Sequence, residues 1–163
     1  MPVPGAPKSA TCSSTPITLP DEFDRTWRVT TIDYENHTGY ERVVLNLSRK
    51  GKNRTNTPTQ AVATRMRASD VAKSVPGVTK PSRGQVAVAI ELDGMTDAPG
   101  LYRYHPRGVD LVKEVSVARG GGGWNVVITS PQHTCYEMRI PKWAHNATGK
   151  EQGAKIFIDF KTK

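Results

Sequence analysis

Apolar side chains recur at every second position through much of the chain, and that period belongs to strands. The clearest run is Gln85 to Leu92: Val86, Val88, Ile90 and Leu92 share one face, and Gln85, Ala87, Ala89 and Glu91 take the other. Tyr40 to Ser48 repeats the pattern, with Val43, Leu45 and Leu47 opposed to Arg42, Val44, Asn46 and Ser48. Such alternation predicts a sheet with one buried face. Further strands are expected at 27–34, 101–105, 109–118, 124–129, 134–140 and 155–160, rich in β-branched and aromatic residues. Leu111 and Val112 beside Val115 and Val117 break the alternation and predict a bulge. Gln60 to Ala72 reads equally as a strand or a short helix.

Turn residues separate these runs. Asn36-His37-Thr38-Gly39 is one turn. Gly120 to Gly123 is another, because a phosphate-cradling loop needs a helix after it and a strand begins here at Trp124. No amphipathic helix of three turns and no internal repeat is present. Seven to nine short strands with at most short helical segments predict an all-β fold, an antiparallel β-sandwich. Its expected core holds Val43, Leu45, Leu47, Val86, Val88, Ile90, Val115, Val117, Val126, Ile128, Ile156 and Ile158. Residues 1–22 are rich in Pro, Ser and Thr and read as a flexible tether, leaving 23–163 as the domain.

Composition narrows the partners. The 163 residues carry 23 Lys and Arg against 15 Asp and Glu, a net charge of +8. That field attracts polyanions: nucleic acid, an anionic membrane surface or an anionic cell wall. No apolar run is long enough to span a bilayer, and no signal-peptide pattern opens the chain. The two cysteines, Cys12 and Cys135, are candidates for a disulfide, which would imply an oxidising compartment. Ser9-Ala10-Thr11 is a poor lipoprotein cleavage signal ahead of Cys12.

Catalytic patterns are thin. There is no Gly-x-Ser-x-Gly elbow and no His-Glu-x-x-His pair. His37, His105, His133 and His145 are scattered, and the turn aspartates Asp93, Asp97 and Asp110 suit backbone capping. Asp159 reads as an outward strand carboxylate. No catalytic residue, cofactor or metal is expected. Sequons at Asn36, Asn46, Asn53 and Asn146 are glycosylation candidates in a secreted eukaryotic protein. Basic residues gather in two groups: Arg49, Lys50, Lys52 and Arg54, and Arg103, Arg107, Lys113 and Arg119 around aromatic residues. Arginine beside aromatic rings binds single-stranded nucleic acid, sugars or anions by stacking and charge. The expected ligand-binding surface is Tyr102, Arg103, Tyr104, Arg107 and Trp124.

One stretch adds a family resemblance. Gly39-Tyr40-Glu41-Arg42-Val43-Val44-Leu45-Asn46-Leu47 resembles the Gly-aromatic-acidic-Arg-Val-Val signature of actinobacterial AMIN-like domains, relatives of the AMIN modules of cell-wall amidases. A preceding strand like Arg28 to Asp33, a late strand like Val112 to Val117 and a closing Ile156-Phe157-Ile158-Asp159-Phe160 extend the likeness over about residues 27–161. The segment after the signature departs from it, being basic rather than aromatic and Gly-rich. The resemblance implies a secreted or lipoprotein β-sandwich outside the membrane that binds or localises to the envelope without catalysis. It implies for Arg42 an ion pair or hydrogen bond tying two strands. The expected partner is thus cell-wall polymer or an envelope protein. The alternative is a basic nucleic-acid-binding or capsid-type β protein, against which residues 1–20 carry only Lys8 as a cationic side chain.

Overall fold

A computed structural model describes residues 6–19, 23–24, 27–49, 58–59, 61–93, 102–120, 123–140 and 153–162. Twelve strands occur among them. They are β1 (Ile17–Thr18), β2 (Phe23–Asp24), β3 (Trp27–His37), β4 (Tyr40–Arg49), β5 (Pro58–Thr59) and β6 (Ala61–Arg67), then β7 (Val86–Asp93), β8 (Tyr102–Tyr104), β9 (Glu114–Gly120), β10 (Gly123–Ser130), β11 (Thr134–Arg139) and β12 (Gly153–Thr162). A six-stranded sheet runs β1-β6-β7-β10-β9-β8 and a four-stranded sheet runs β11-β12-β4-β3, with β2 and β5 forming a separate pair. All pairings are antiparallel.

The fold is a β-sandwich. Val43, Leu45, Ile156 and Ile158 of the four-stranded sheet share one core with Ile90, Val115, Val126 and Ile128 of the six-stranded sheet. All twelve expected core residues are buried. The ambiguous segment after Gln60 is both things in turn: strand β6, then a 3-10 turn at Ala68–Asp70 and a one-turn helix α1 at Val71–Ser74. Gly120 and Gly123 pair across the β9–β10 hairpin. Lys50, Lys52, Arg54, Asn53, Asp97, His145 and Asn146 lie outside the described residues.

The six-stranded sheet is covered on both faces. Its outer positions Ala87, Ala89, Ala118 and Val127 form a second apolar cluster with Val71, Val75 and Val78. Small side chains on the sheet let α1 and the segment after it lie close. Buried Asn125 fastens that segment, donating to the Pro76 carbonyl at 3.0 Å and the Gly120 carbonyl at 3.2 Å. Gly77 has φ +79°, and a Cβ there would run into the Arg119 carbonyl oxygen. Gly77→Ala is expected to destabilise the domain by about 2 kcal/mol or more, since left-handed strain and a backbone clash act together. Thermal unfolding checks this; an unchanged midpoint would contradict the close approach.

One strand expectation and part of the expected tether change. Residues 109–113 are a loop, not a bulged strand, and β9 begins at Glu114. The cause is Glu41, whose buried carboxylate accepts the amides of Asp110, Leu111 and Val112 at 2.7–3.0 Å. Those amides are then lost to any strand ladder. Residues 11–19, expected within the tether, line both sheet edges instead. Thr11 exchanges backbone hydrogen bonds with Tyr136 at 2.8 and 3.0 Å, and β1 pairs with β6. Between them a disulfide joins Cys12 to Cys135, with Cα atoms 4.5 Å apart. Covering edges removes open hydrogen-bonding groups that would otherwise template aggregation.

Asp159 is not a solvated strand carboxylate. It is fully buried opposite Arg42 in the β4–β12 register. Arg42 grips it with both arms, Nε to Oδ1 at 2.6 Å and Nη2 to Oδ2 at 2.9 Å. The guanidinium lies over the Phe157 ring at 4.1 Å. Arg42 therefore ties two strands together. Asn46, a sequon residue, is also engaged: its amide donates to Asp33 at 2.6 Å and Thr31 at 2.9 Å.

Candidate functional site

Strand β8 is the edge of the six-stranded sheet and pairs with β9 through Tyr102↔Val117, Arg103↔Ser116 and Tyr104↔Val115. Period-two alternation sends neighbours to opposite faces. Tyr104 faces the four-stranded sheet and stacks on Tyr34, centroids 5.4 Å apart and planes 23° from parallel. Arg103 shares the outer face with Glu114 and His105.

Glu114 is the anchor of that face. It has no exposed surface. Its Oε2 accepts the Ser82 amide at 3.1 Å, and its Oε1 accepts the Ser82 hydroxyl and His105 Nε2, the latter at 2.9 Å. Arg103 Nε lies 3.6 Å from Oε1, while its Nη2 donates to Thr79 Oγ1 at 2.6 Å and the Lys80 carbonyl at 3.1 Å. Burial alone pushes this carboxyl up. The hydrogen bonds from Ser82 and His105, with the charge of Arg103, outweigh it and hold Glu114 below its ordinary 4.5. The bound form is the carboxylate, so its stabilising contribution is complete above the unfolded-state value and is lost as pH falls through the lower folded-state value. Glu114→Gln is expected to lower the melting temperature at pH 7 and to flatten its fall towards pH 3. Parallel acid profiles for both proteins would contradict this.

Ser, His and Glu in contact invite comparison with a nucleophile relay. A relay uses one imidazole nitrogen for the acid and the other for the hydroxyl. Here His105 Nε2 faces both Glu114, at 2.9 Å, and Ser82 Oγ, at 3.4 Å. Ser82 and His105 converge on one carboxylate oxygen, which is a cage for a buried anion rather than a relay.

Above this cage the outer surface opens into a recess of about 600 Å³ lined by Arg83, Arg103, Tyr104, His105, Pro106 and Arg107. Among the described residues no carboxylate lines it. Arg83 and Arg107 are exposed and make no ion pair among the described residues. The recess presents the exposed guanidinium forks of Arg83 and Arg107 beside the His105 imidazole, which suit a carboxylate or phosphate group.

No family model, curated protein or solved structure matches the chain.

Of the residues expected to bind ligand, Arg103, Tyr104 and Arg107 meet at this recess. Tyr102 lies in β8, with its side chain outside the described residues. Trp124 does not join them: it pairs with Arg119 and Leu92 at the other end of the sheet and packs, partly buried, on the core. Its alternation with Val126 and Ile128 turns it inward. Arg83, Ser82, His105 and Glu114 were not expected here. The spacing of His105 two residues after Arg103, on the same strand face, was the available signal; nothing local marks residues 82 and 83. Among the described residues no group of three or more His, Cys, Asp and Glu could hold a metal, and no helix is long and apolar enough to cross a membrane.

Proposed function

We propose that this domain is a non-catalytic envelope-binding module that takes anionic groups of cell-wall polymer into the recess of Arg83, Arg103, His105 and Arg107. The observation that carries the reading is the recess itself: Arg83 and Arg107 stand exposed there beside Arg103 and His105, whose carboxylate partner Glu114 is buried beneath. Each guanidinium–anion contact contributes about 1.5–3 kcal/mol, about tenfold or more in affinity. The disulfide supports an oxidising location outside the cytoplasm, and the AMIN-like signature around Arg42 points the same way.

Co-sedimentation with cell-wall sacculi across a salt series, with single-stranded DNA as competitor, tests it. Retention at about 0.1 M salt that falls away by about 0.3 M, where purely electrostatic contacts are largely screened, is expected, with single-stranded DNA competing only in large excess. Arg83→Ala with Arg107→Ala should weaken binding about tenfold or more. Loss of sacculus binding alongside tight, salt-sensitive DNA binding would replace this reading with a nucleic-acid one.

A further inference from the structure

Beside the covering segment, the outer face of the six-stranded sheet holds a groove of about 480 Å³. Period-two alternation sets its floor. Val62, Thr64 and Met66 of β6 and Ala89 of β7 point outward, because Ala61, Ala63, Val88 and Ile90 beside them point into the core. Val75 and Pro76 of the covering segment form a wall. A groove of this size with a largely apolar lining suits a small organic ligand.

Glu91 and Asn125 also line it, directly opposite each other in the β7–β10 register. Cross-strand partners of this kind have Cβ atoms about 5 Å apart. Glu91 is exposed and makes no ion pair among the described residues. Asn125 is 1% exposed, and its Nδ2 is committed to the Pro76 and Gly120 carbonyls. Gly120 belongs to β9, which flanks β10 on the side away from β7. The other end of the amide, Oδ1, therefore turns towards Glu91 and the groove. Oδ1 accepts no hydrogen bond among the described residues. A buried carbonyl oxygen is ordinarily paired, so this one marks a place for a donor.

The other charged groups at the groove are balanced or turned away. Asp70 and Lys73 lie three residues apart at α1, one helical turn, and offset each other's charge. Arg65 borders the groove, but alternation with Ala63 turns its guanidinium to the opposite face, where it donates to the carbonyls of Cys12, Gln132 and Thr134. The charge left over is that of Glu91. We infer that this groove is a binding site for a small apolar amine. Its ammonium donates to the Glu91 carboxylate and to Asn125 Oδ1, and its apolar body lies along Val62, Ala89 and Val75 towards Met66. The groove shares no residue with the anion recess, so this site goes beyond the function proposed above and takes a ligand of opposite charge.

Amide nuclear magnetic resonance of the labelled full chain at pH 7 tests this, with 3-phenylpropylamine, 3-phenylpropanol and 3-phenylpropanoate as three probes of one shape. The amine is expected to shift residues 62–66, 89–91 and 125, and to bind about tenfold or more tighter than the alcohol, because a charge-assisted hydrogen bond replaces a neutral one. The carboxylate should bind more weakly than either. Glu91→Gln changes an exposed side chain, and its melting curve confirms folding. It should bring the amine to within about twofold of the alcohol. An amine that binds the parent no more tightly than the alcohol, or that shifts only residues outside the groove, would overturn the site. So would a Glu91→Gln variant that keeps the full preference for the amine. None of these outcomes bears on the anion recess, whose arginines lie elsewhere.

Discussion

Asp159→Asn is expected to cost about 3–5 kcal/mol of folding stability, because it strands a buried cation. Arg42 and Asp159 are both wholly buried, and the two hydrogen bonds between them are the compensation for two desolvated charges. Burial disfavours the charged guanidinium, but the hydrogen bond and charge of Asp159 prevail and hold Arg42 above its ordinary range. Arginine therefore cannot relieve the loss of its partner by giving up a proton. Arg139, 3.4 Å from Asp159 Oδ2, loses part of its own anchorage as well. Replacing both members by leucine removes charge and counter-charge together and should recover most of the loss. Urea unfolding of the parent, Asp159→Asn and the double variant measures all three. A double variant as unstable as the single one would show that the pair matters for packing rather than charge.

Opening the Cys12–Cys135 disulfide is the second large effect. It closes a sequence separation of 123 residues, and loop-closure entropy over such a span gives about 2–5 kcal/mol. For a domain of this size that is a fall of about 5–15 °C in melting temperature. Cys12→Ser with Cys135→Ser, or reduction, should produce it. Hydrogen exchange should accelerate first at Thr11 and Tyr136, whose mutual hydrogen bonds lie next to the bridge. A reduced protein melting with the oxidised one would mean that Arg65 and β1 hold the edge without the bridge.

The parts of this molecule legible in its sequence are those written in a local period. Alternation in β4 and β7 marked the core positions there, because burying one face of a strand leaves every second side chain apolar. The parts that were not legible depend on distant partners. Val109, Leu111 and Val112 look like strand, and only the Glu41 carboxylate explains why they loop. Residues 11–19 look uncommitted until the bridge and the edges of β11 and β6 are in place. Ala87, Ala89 and Ala118 did carry a message: small outer residues made room for a covering segment that polar ones would not need.

The candidate site divides in the same way. Arg103, Tyr104 and Arg107 are close in sequence and stay close in the fold. Arg83 arrives from the covering segment, and Glu114 holds that segment at Ser82. Trp124 was drawn in by its composition and excluded by its register. The basic patch read from sequence thus lies partly at the edge strand β8, while the buried carboxylate beneath it could be found only in three dimensions.

Binding at the recess is tested most directly by amide nuclear magnetic resonance of the labelled domain titrated with solubilised anionic wall polymer. Shifts concentrated at residues 80–84 and 102–108, and abolished by Arg83→Ala with Arg107→Ala, are the expected result. Shifts confined to the outer face of β11, β12, β4 and β3, or none at saturating polymer, would contradict it.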